Sequence, residues 1–195
     1  MTVAVQARFP DIADGPLSDE QRRVKERIVS GPRGQLVGPF RILLHAPRLE
    51  SALHPVGEYL RYGASLPDDV REVVILATAV HWRCAFEWDA HAPIAKKAGV
   101  SDLELADLRR GALHPPSTPP RLTAHAVALT MHRTGSIPDA LFEEAVAAFG
   151  REGALEMLAL CGYYSTLAMV LNTANPPEAD AFPQNALIHR NHSCA

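Results

Sequence analysis

The chain has 195 residues, of which 47% are hydrophobic, and a formal net charge of −3 at pH 7. This length and composition suit one compact domain with a sizeable core and argue against wholesale disorder. No run of Lys and Arg stands out, so we expect neither a nucleic-acid-binding protein nor one that binds an anionic membrane. The longest strongly apolar stretch lies at 73–80 and is far too short to span a bilayer.

The N-terminal segment lacks the pattern of a secretory signal peptide, because Asp11 and Asp14 interrupt it before any long apolar run. We therefore expect a cytoplasmic protein. The three cysteines, Cys84, Cys161 and Cys194, form no CxxC pair, which argues against a disulfide framework or a zinc site. The nine histidines show no HExxH pattern, and no Gly-rich phosphate loop follows a strand. The sequence thus predicts neither a metal nor an organic cofactor.

Residues 1–17 are punctuated by Pro, Gly and Asp and predict an arm that precedes the folded domain. The first helix begins after the N-cap signal of Ser18 and ends at Gly31. A short helix is predicted at 39–45, and Pro47 opens another that runs to about Gly63.

The central segment predicts three helices. The first, at 67–82, is apolar on nearly every side, which is typical of a helix in the middle of a packed protein. The second carries residues 84–98 and closes at Gly99. A capping box at Ser101 opens the third, which ends at Gly111.

Residues 112–120 contain four prolines and predict a linker, after which helices resume at 120–134, 138–149 and 152–174. No run alternates with a period of two, so the predicted fold is all-α. The predicted organisation is an N-terminal arm at 1–17, a helical domain at 18–175 and a C-terminal tail at 176–195.

One helical face carries the residues best suited to chemistry. Cys84, Glu87 and His91 are spaced i, i+3 and i+7, which aligns their side chains. Glu72 interrupts the preceding buried helix, where a polar side chain needs a partner. A tight connection near Arg83 would make the two helices antiparallel and bring Glu72 within reach of His91. A carboxylate, an imidazole and a thiol would then converge in surroundings suited to proton transfer.

Structural explanations for the same residues stay open at this point. A cysteine that faces a core is usually a small inert hydrophobe. A Glu and a His four residues apart are more often a surface hydrogen-bonded pair than a catalytic one, and clusters of ionisable groups also occur for structural reasons.

Three segments resemble the core of carboxymuconolactone decarboxylase-like proteins: Arg-Glu-Val-Val-Ile-Leu at 71–76, His-Trp-Arg-Cys-Ala-Phe-Glu-Trp-Asp-Ala-His at 81–91 and Ala-Gly-Val-Ser at 98–101. The related AhpD-type peroxidases have a Glu, eleven residues, CxxC, three residues and a His. This chain is similar at Glu72, Cys84 and His91, but Glu87 stands in place of the second cysteine. The ExxxH of Glu87 and His91 resembles the decarboxylase branch instead.

The last predicted helix is also similar to that of longer family members, so the resemblance covers about residues 39–175; the matching residues are Glu156, Gly162-Tyr163-Tyr164 and Leu171-Asn172. The resemblance implies an AhpD-like helical bundle of about seven or eight helices. It also implies a homo-oligomer, either a trimer or a hexamer.

The first functional hypothesis from the resemblance is a carboxymuconolactone decarboxylase-like lyase. It would use cofactor-free acid/base chemistry on a small lactone or unsaturated carboxylic acid. His91 would be the general acid/base, with Glu72 or Glu87 orienting it. The decarboxylases that the chain resembles lack a cysteine at position 84 and are shorter, which argues against 4-carboxymuconolactone itself as the substrate.

Four further residues are candidates for substrate binding. Arg71 or Arg83 would bind the substrate carboxylate, although both could equally be surface cations. His81 and Trp88 would line the pocket, with core packing as the alternative for Trp88.

The second hypothesis is an AhpD-like thiol peroxidase in which Cys84 is the peroxide-reacting thiolate. Because Glu87 cannot form a disulfide, Cys161, Cys194 or an external thiol would have to resolve the oxidised cysteine. A third possibility is a ligand-binding relative with a degenerate site.

Overall fold

The computed structural model describes residues 8–112 and 117–175. These residues form eight α-helices and no strand, which confirms the predicted all-α fold of seven or eight helices. In chain order the helices are α1 Asp19–Ser30, α2 Pro39–Leu43, α3 Pro47–Glu58, α4 Asp68–Trp82, α5 Ala85–Lys97, α6 Asp102–Arg109, α7 Pro119–Thr134 and α8 Asp139–Ala174.

The described residues divide into two compact units, of which the first comprises 8–64 and 166–175. Its helix α1 begins with a complete capping box, in which the Ser18 hydroxyl accepts from the Gln21 amide and the Gln21 side chain accepts from the Ser18 amide. Helix α3 continues as a π-helical turn at Tyr59–Gly63, so the helix ends where the sequence predicts.

The described part of the predicted N-terminal arm, residues 8–17, is not helical but forms part of the first unit. Ala13 is buried, and Lys25 of α1 donates to its carbonyl oxygen at 2.7 Å. Residues 1–7 of the arm, linker residues 113–116 and the whole predicted tail lie outside the described residues.

The second unit comprises 65–112 and 117–165 and is built around α4. Almost every side chain of α4 from Val70 to Val80 is buried, and the helix packs against α5, α6 and α7. This agrees with a helix that is apolar on nearly all sides. The core beside it combines residues of α4, α5 and α6 with the intervening loop: Val73, Leu76, Ala79, Val80, Trp88, Ala95, Val100 and Leu108.

The capping box predicted at α6 forms only in part. The Ser101 hydroxyl accepts from the Glu104 amide at 3.1 Å, as predicted. The Glu104 side chain, however, is buried against Arg121, whose guanidinium donates to both carboxylate oxygens at 3.0 and 2.9 Å. A buried carboxylate is stabilised more by a bidentate cation than by one backbone amide. The Glu104 side chain therefore pairs with Arg121 instead of accepting from the Ser101 amide.

Helix α8 consists of two segments separated at Gly150, whose φ of 70° lies in the left-handed region. The sequence predicts this break between 149 and 152. By length and composition α8 could cross a membrane, because its most apolar 18-residue window has a mean hydropathy of 1.5. The stretch at 73–80 is therefore not the longest apolar segment of the described residues, contrary to the expectation from the sequence. Because 56% of that window is buried within the protein and core helices pass the same test, the composition alone is weak support for a span.

Candidate active site

The connection between α4 and α5 brings the predicted site together. Arg83 adopts a left-handed conformation with φ of 53°, and Cys84 is extended at the N-cap of α5. The Cys84 amide donates to the Ala79 carbonyl at 2.9 Å, which closes the end of α4. Helix α5 therefore packs back along α4, as the sequence predicts, and Glu72 lies beside His91.

Glu72 and His91 form the centre of the site. Oε2 of Glu72 lies 2.6 Å from Nδ1 of His91. Glu72 is fully buried, and His91 is 7% exposed. With Glu72 ionised, the hydrogen bond requires the proton on Nδ1, which leaves Nε2 for other partners.

Nε2 of His91 lies opposite Glu87, one helical turn before it on α5. The distance from Nε2 to Oε2 of Glu87 is 3.5 Å, and Glu87 is also buried. An unprotonated ring nitrogen and an ionised carboxylate oxygen repel each other at this distance, whereas a proton on either one gives attraction. The pair is thus suited to hold a transferable proton.

Arg71 approaches the other oxygen of Glu72. Its Nε lies 3.8 Å from Oε1 of Glu72, and another guanidinium nitrogen donates to Asp68 at 2.7 Å. Arg71 is 8% exposed, so it is not the surface cation of the alternative interpretation. Arg83, the other predicted anion-binding residue, is half-buried in the turn between α4 and α5.

Tyr164 of α8 forms an aromatic wall beside His91. The two ring centroids are 5.2 Å apart, with the rings edge to face at 89°. Tyr163 packs in the same way against Tyr164, at 5.5 Å, and both tyrosines are buried. The Gly-Tyr-Tyr sequence marked a resemblance, but nothing in the local pattern indicates that Tyr164 contacts His91.

Cys84 is 1% exposed, and burial raises the pKa of its thiol to about 11. The Glu87 carboxylate raises this pKa further, whereas the backbone amides of Glu87 and Phe86 lower it. Along the helix Cys84 precedes His91 by seven residues, a rise of about 10 Å. The spacing therefore places the thiol on the same side of the helix as the site.

Cys161, a candidate resolving residue, is a buried free thiol. Burial raises its pKa to about 12, with Thr78 acting in the opposite direction. Cys194 lies outside the described residues.

The two residues predicted to line the pocket, Trp88 and His81, pack against other side chains of the same unit. Trp88 is buried in the core cluster, with the Arg109 guanidinium 5.4 Å from its ring centroid. His81 stacks on His132 of α7 with centroids 4.5 Å apart, and Nε2 of His132 lies 2.9 Å from the Thr78 hydroxyl oxygen. Within residues 8–112 and 117–175, no group of three or more His, Cys, Asp or Glu side chains is placed to hold a metal ion.

Comparisons with known proteins give one family match and one similar fold. Residues 47–130 match the model of the carboxymuconolactone decarboxylase family. The fold is similar to a crystal structure from Ralstonia eutropha JMP134, described as an alkylhydroperoxidase AhpD core and an uncharacterized peroxidase-related protein. That similarity has a TM-score of 0.69 and covers 93% of this chain and 97% of the other, with 20% sequence identity, so it establishes the fold alone. No curated protein matches the chain.

Proposed function

We propose that the chain is a cofactor-free acid/base enzyme, because residues 47–130 match the carboxymuconolactone decarboxylase family model and the fold is similar to that of an AhpD core. Its substrate would be a small lactone or unsaturated carboxylic acid, and its reaction that of a carboxymuconolactone decarboxylase-like lyase. The observation that carries the proposal is the buried array in which His91 lies between Glu72 at Nδ1 and Glu87 at Nε2.

In the proposed reaction the carbon–carbon bond to the substrate carboxylate breaks and carbon dioxide leaves. The electron pair of that bond spreads over the unsaturated lactone as an extended enolate. Glu87 or water first protonates Nε2 of His91, whose Nδ1 already carries a proton. His91 then delivers the Nε2 proton to the carbanionic carbon and returns to the neutral ring, and water restores the proton of the donor. Glu72 holds the imidazole by its other nitrogen, so that Nε2 faces the reaction.

Burial of the site favours this chemistry. Glu72, Glu87 and His91 are all shielded from water, so the charges that change during proton transfer interact more strongly than they would at the surface. The Tyr164 ring covers one side of the imidazole and limits the access of water there.

The alternative thiol peroxidase is less well supported. With a pKa of about 11, Cys84 is a protonated thiol at neutral pH, and the thiolate is the reactive form. Neither Cys84 nor Cys161 has the electropositive, accessible surroundings of a reactive cysteine. We also propose, from the resemblance alone, a homotrimer or homohexamer.

The test is a panel of lactones and unsaturated carboxylic acids, assayed for carbon dioxide release, with hydrogen peroxide turnover measured in parallel. We expect His91→Gln to lower the decarboxylation rate about 100-fold or more. Cys84→Ala should retain the rate within about threefold, because the thiol takes no part in the proposed step. Peroxide consumption that disappears in Cys84→Ala, without decarboxylation by the wild type, would instead establish the peroxidase.

A further inference from the structure

We propose that Arg71 is a positioning residue that keeps Glu72 ionised and thereby fixes the ring proton of His91 on Nδ1. Nε2 is then the nitrogen that exchanges protons with the substrate. The catalytic meaning of this inference rests on the proposed function, but the position of the ring proton can be measured without any substrate.

The charge balance at Glu72 calls for a permanent cation. Glu72 has no exposed surface, and a buried carboxylate without compensation takes up a proton. His91 bonds to Oε2, but a neutral imidazole contributes only a dipole, and a catalytic imidazole changes its charge during the reaction. Arg71, 3.8 Å from Oε1, contributes a charge that does not change, because a guanidinium keeps its proton in proteins.

The surroundings of Arg71 fix where that charge lies. Asp68, exposed in the first turn of α4, accepts from one end of the guanidinium at 2.7 Å. The Nε–H has no hydrogen-bond partner among the residues that the structure describes, and it is buried on the side of Glu72. At 3.8 Å the contact with Glu72 is electrostatic rather than a hydrogen bond, so Arg71 compensates the carboxylate without taking the oxygen that His91 uses.

The tautomer of His91 reports the charge of Glu72. An ionised Glu72 can only accept, so the neutral ring carries its proton on Nδ1. A protonated Glu72 would donate to Nδ1, and the ring proton would move to Nε2, where it points at Glu87. In that second state Nε2 has no lone pair, so it cannot take up from Glu87 the proton that the proposed reaction delivers to the substrate.

The rival role for Arg71 is direct binding of the substrate carboxylate. Both roles use the same positive charge, but they differ in what the free protein shows. A positioning residue determines the His91 tautomer before substrate is present, whereas a substrate-binding residue affects mainly the Michaelis constant.

The experiment is long-range proton–nitrogen NMR of the full chain with ¹⁵N-labelled histidine at about pH 8, where an ordinary imidazole is neutral. His91→Gln identifies the His91 signal. We expect the Nδ1–H tautomer in the wild type and in Arg71→Lys, and the Nε2–H tautomer in Arg71→Gln. Arg121→Gln is the matched control, because Arg121 is also an arginine paired with carboxylates, Asp69 and Glu104, with only 12% of its side chain exposed, and its loss should leave the tautomer unchanged.

An unchanged Nδ1–H signal in a folded Arg71→Gln would overturn the proposal, and so would an Nε2–H signal in the wild type. If Arg71→Gln does not fold, Arg71→Met and Arg71→Lys give the same comparison with and without the charge.

Kinetics separate this proposal from the proposed function. On any substrate that the panel identifies, we expect Arg71→Gln to lower kcat about tenfold or more with KM within about twofold, and Arg71→Lys to restore most of kcat. A raised KM with unchanged kcat would assign Arg71 to substrate binding and overturn the positioning role. Absence of turnover by the wild type would refute the proposed function, whereas the tautomer measurement would still decide the role of Arg71.

Discussion

Among the residues that the structure describes are two Glu–His–Glu arrays, one in each compact unit, and they differ in how their charges are compensated. In the second unit His91 lies between Glu72 and Glu87, at 2.6 and 3.5 Å. In the first unit His54 lies between Glu50 at Nδ1 and Glu58 at Nε2, at 2.9 and 3.8 Å. In both arrays the second carboxylate lies four residues from the histidine on the same helix.

In the His54 array one carboxylate forms an ion pair and the other is exposed to solvent. Arg27 of α1 bonds directly to Glu50 and also donates to the Ser51 hydroxyl, so Glu50 has a strong fixed partner. The Glu58 side chain is 45% exposed, and water stabilises its charge. In the His91 array both carboxylates are buried, and the Arg71 guanidinium lies 3.8 Å from Glu72.

This contrast teaches that the residue types alone do not make a proton-transfer site. A carboxylate that is satisfied by a direct ion pair and a carboxylate that is hydrated both hold their charge firmly. In the His91 array two buried carboxylates face the two nitrogens of one imidazole, which suits the exchange of a proton in general acid/base catalysis.

The largest expected difference between the arrays is in catalysis. His91→Gln should lower the decarboxylation rate about 10²- to 10⁴-fold, because it removes the only group in the proposed mechanism that delivers the proton. His54→Gln should change the rate less than about threefold, because its array lies outside that mechanism. The measurement is the steady-state decarboxylation rate of each variant. Equal losses of rate would contradict the assignment of catalysis to the His91 array alone.

For the free energy of unfolding we expect the opposite order, with the larger loss on removal of the arginine of the His54 array. Arg27→Met leaves Glu50 buried beside a single histidine, and breaking a buried ion pair in this way is costly. Since the Arg27 side chain is itself 41% exposed, we expect a loss of about 2–3 kcal/mol in the free energy of unfolding, less than for a fully buried pair. Urea denaturation of Arg27→Met and Arg71→Met measures both, and the second should lose less. A loss below about 0.5 kcal/mol in Arg27→Met would show that Glu50 is not held as the geometry indicates.

Much of this arrangement can be predicted from local sequence. Helix α4 is apolar on nearly all sides, which predicts its position at the centre of its unit. The tight turn at Arg83 makes α4 and α5 antiparallel, and because few residues separate Glu72 and His91 from this turn, the two side chains are expected to meet. The contact of Tyr164 with His91 cannot be predicted in this way, because it depends on how a distant helix packs. The same holds for Glu104, which exchanges its expected cap for Arg121 of α7. Glu50 and His54 show the limit most clearly, since their spacing equals that of Glu87 and His91.

A third histidine shows how burial without a carboxylate behaves. Burial and the neighbouring His81 lower the pKa of His132 from 6.5 to about 4. The unfolded chain therefore binds a proton before the folded protein does as the pH falls. The contribution of neutral His132 to stability is complete above pH 6.5 and is lost between about 6.5 and 4.

Because His132 is only partly buried, we expect this loss to be on the order of 1–2 kcal/mol. Between pH 7 and pH 4, the free energy of unfolding of His132→Gln should fall by that much less than the free energy of unfolding of the wild type. The glutamine can keep a donor near the Thr78 hydroxyl but does not titrate. Parallel curves for the two proteins would mean that His132 does not lose its proton on burial. His54→Gln provides the comparison with a histidine that has carboxylate partners.

The smallest expected effect tests whether Glu87 acts as a buried charge on its surroundings. Glu87 raises the pKa of Cys84, so Glu87→Gln should lower that pKa and increase the thiolate fraction at a given pH. Burial is the larger cause and is unchanged, so alkylation of Cys84 should accelerate only a fewfold, as read by peptide mass spectrometry with Cys161 as the internal reference. Glu58→Gln, the matched change in the hydrated array, should leave the Cys84 rate unchanged. If Glu87→Gln has no effect either, Glu87 is already protonated, and the proton shared with His91 resides on the carboxylate rather than on the ring.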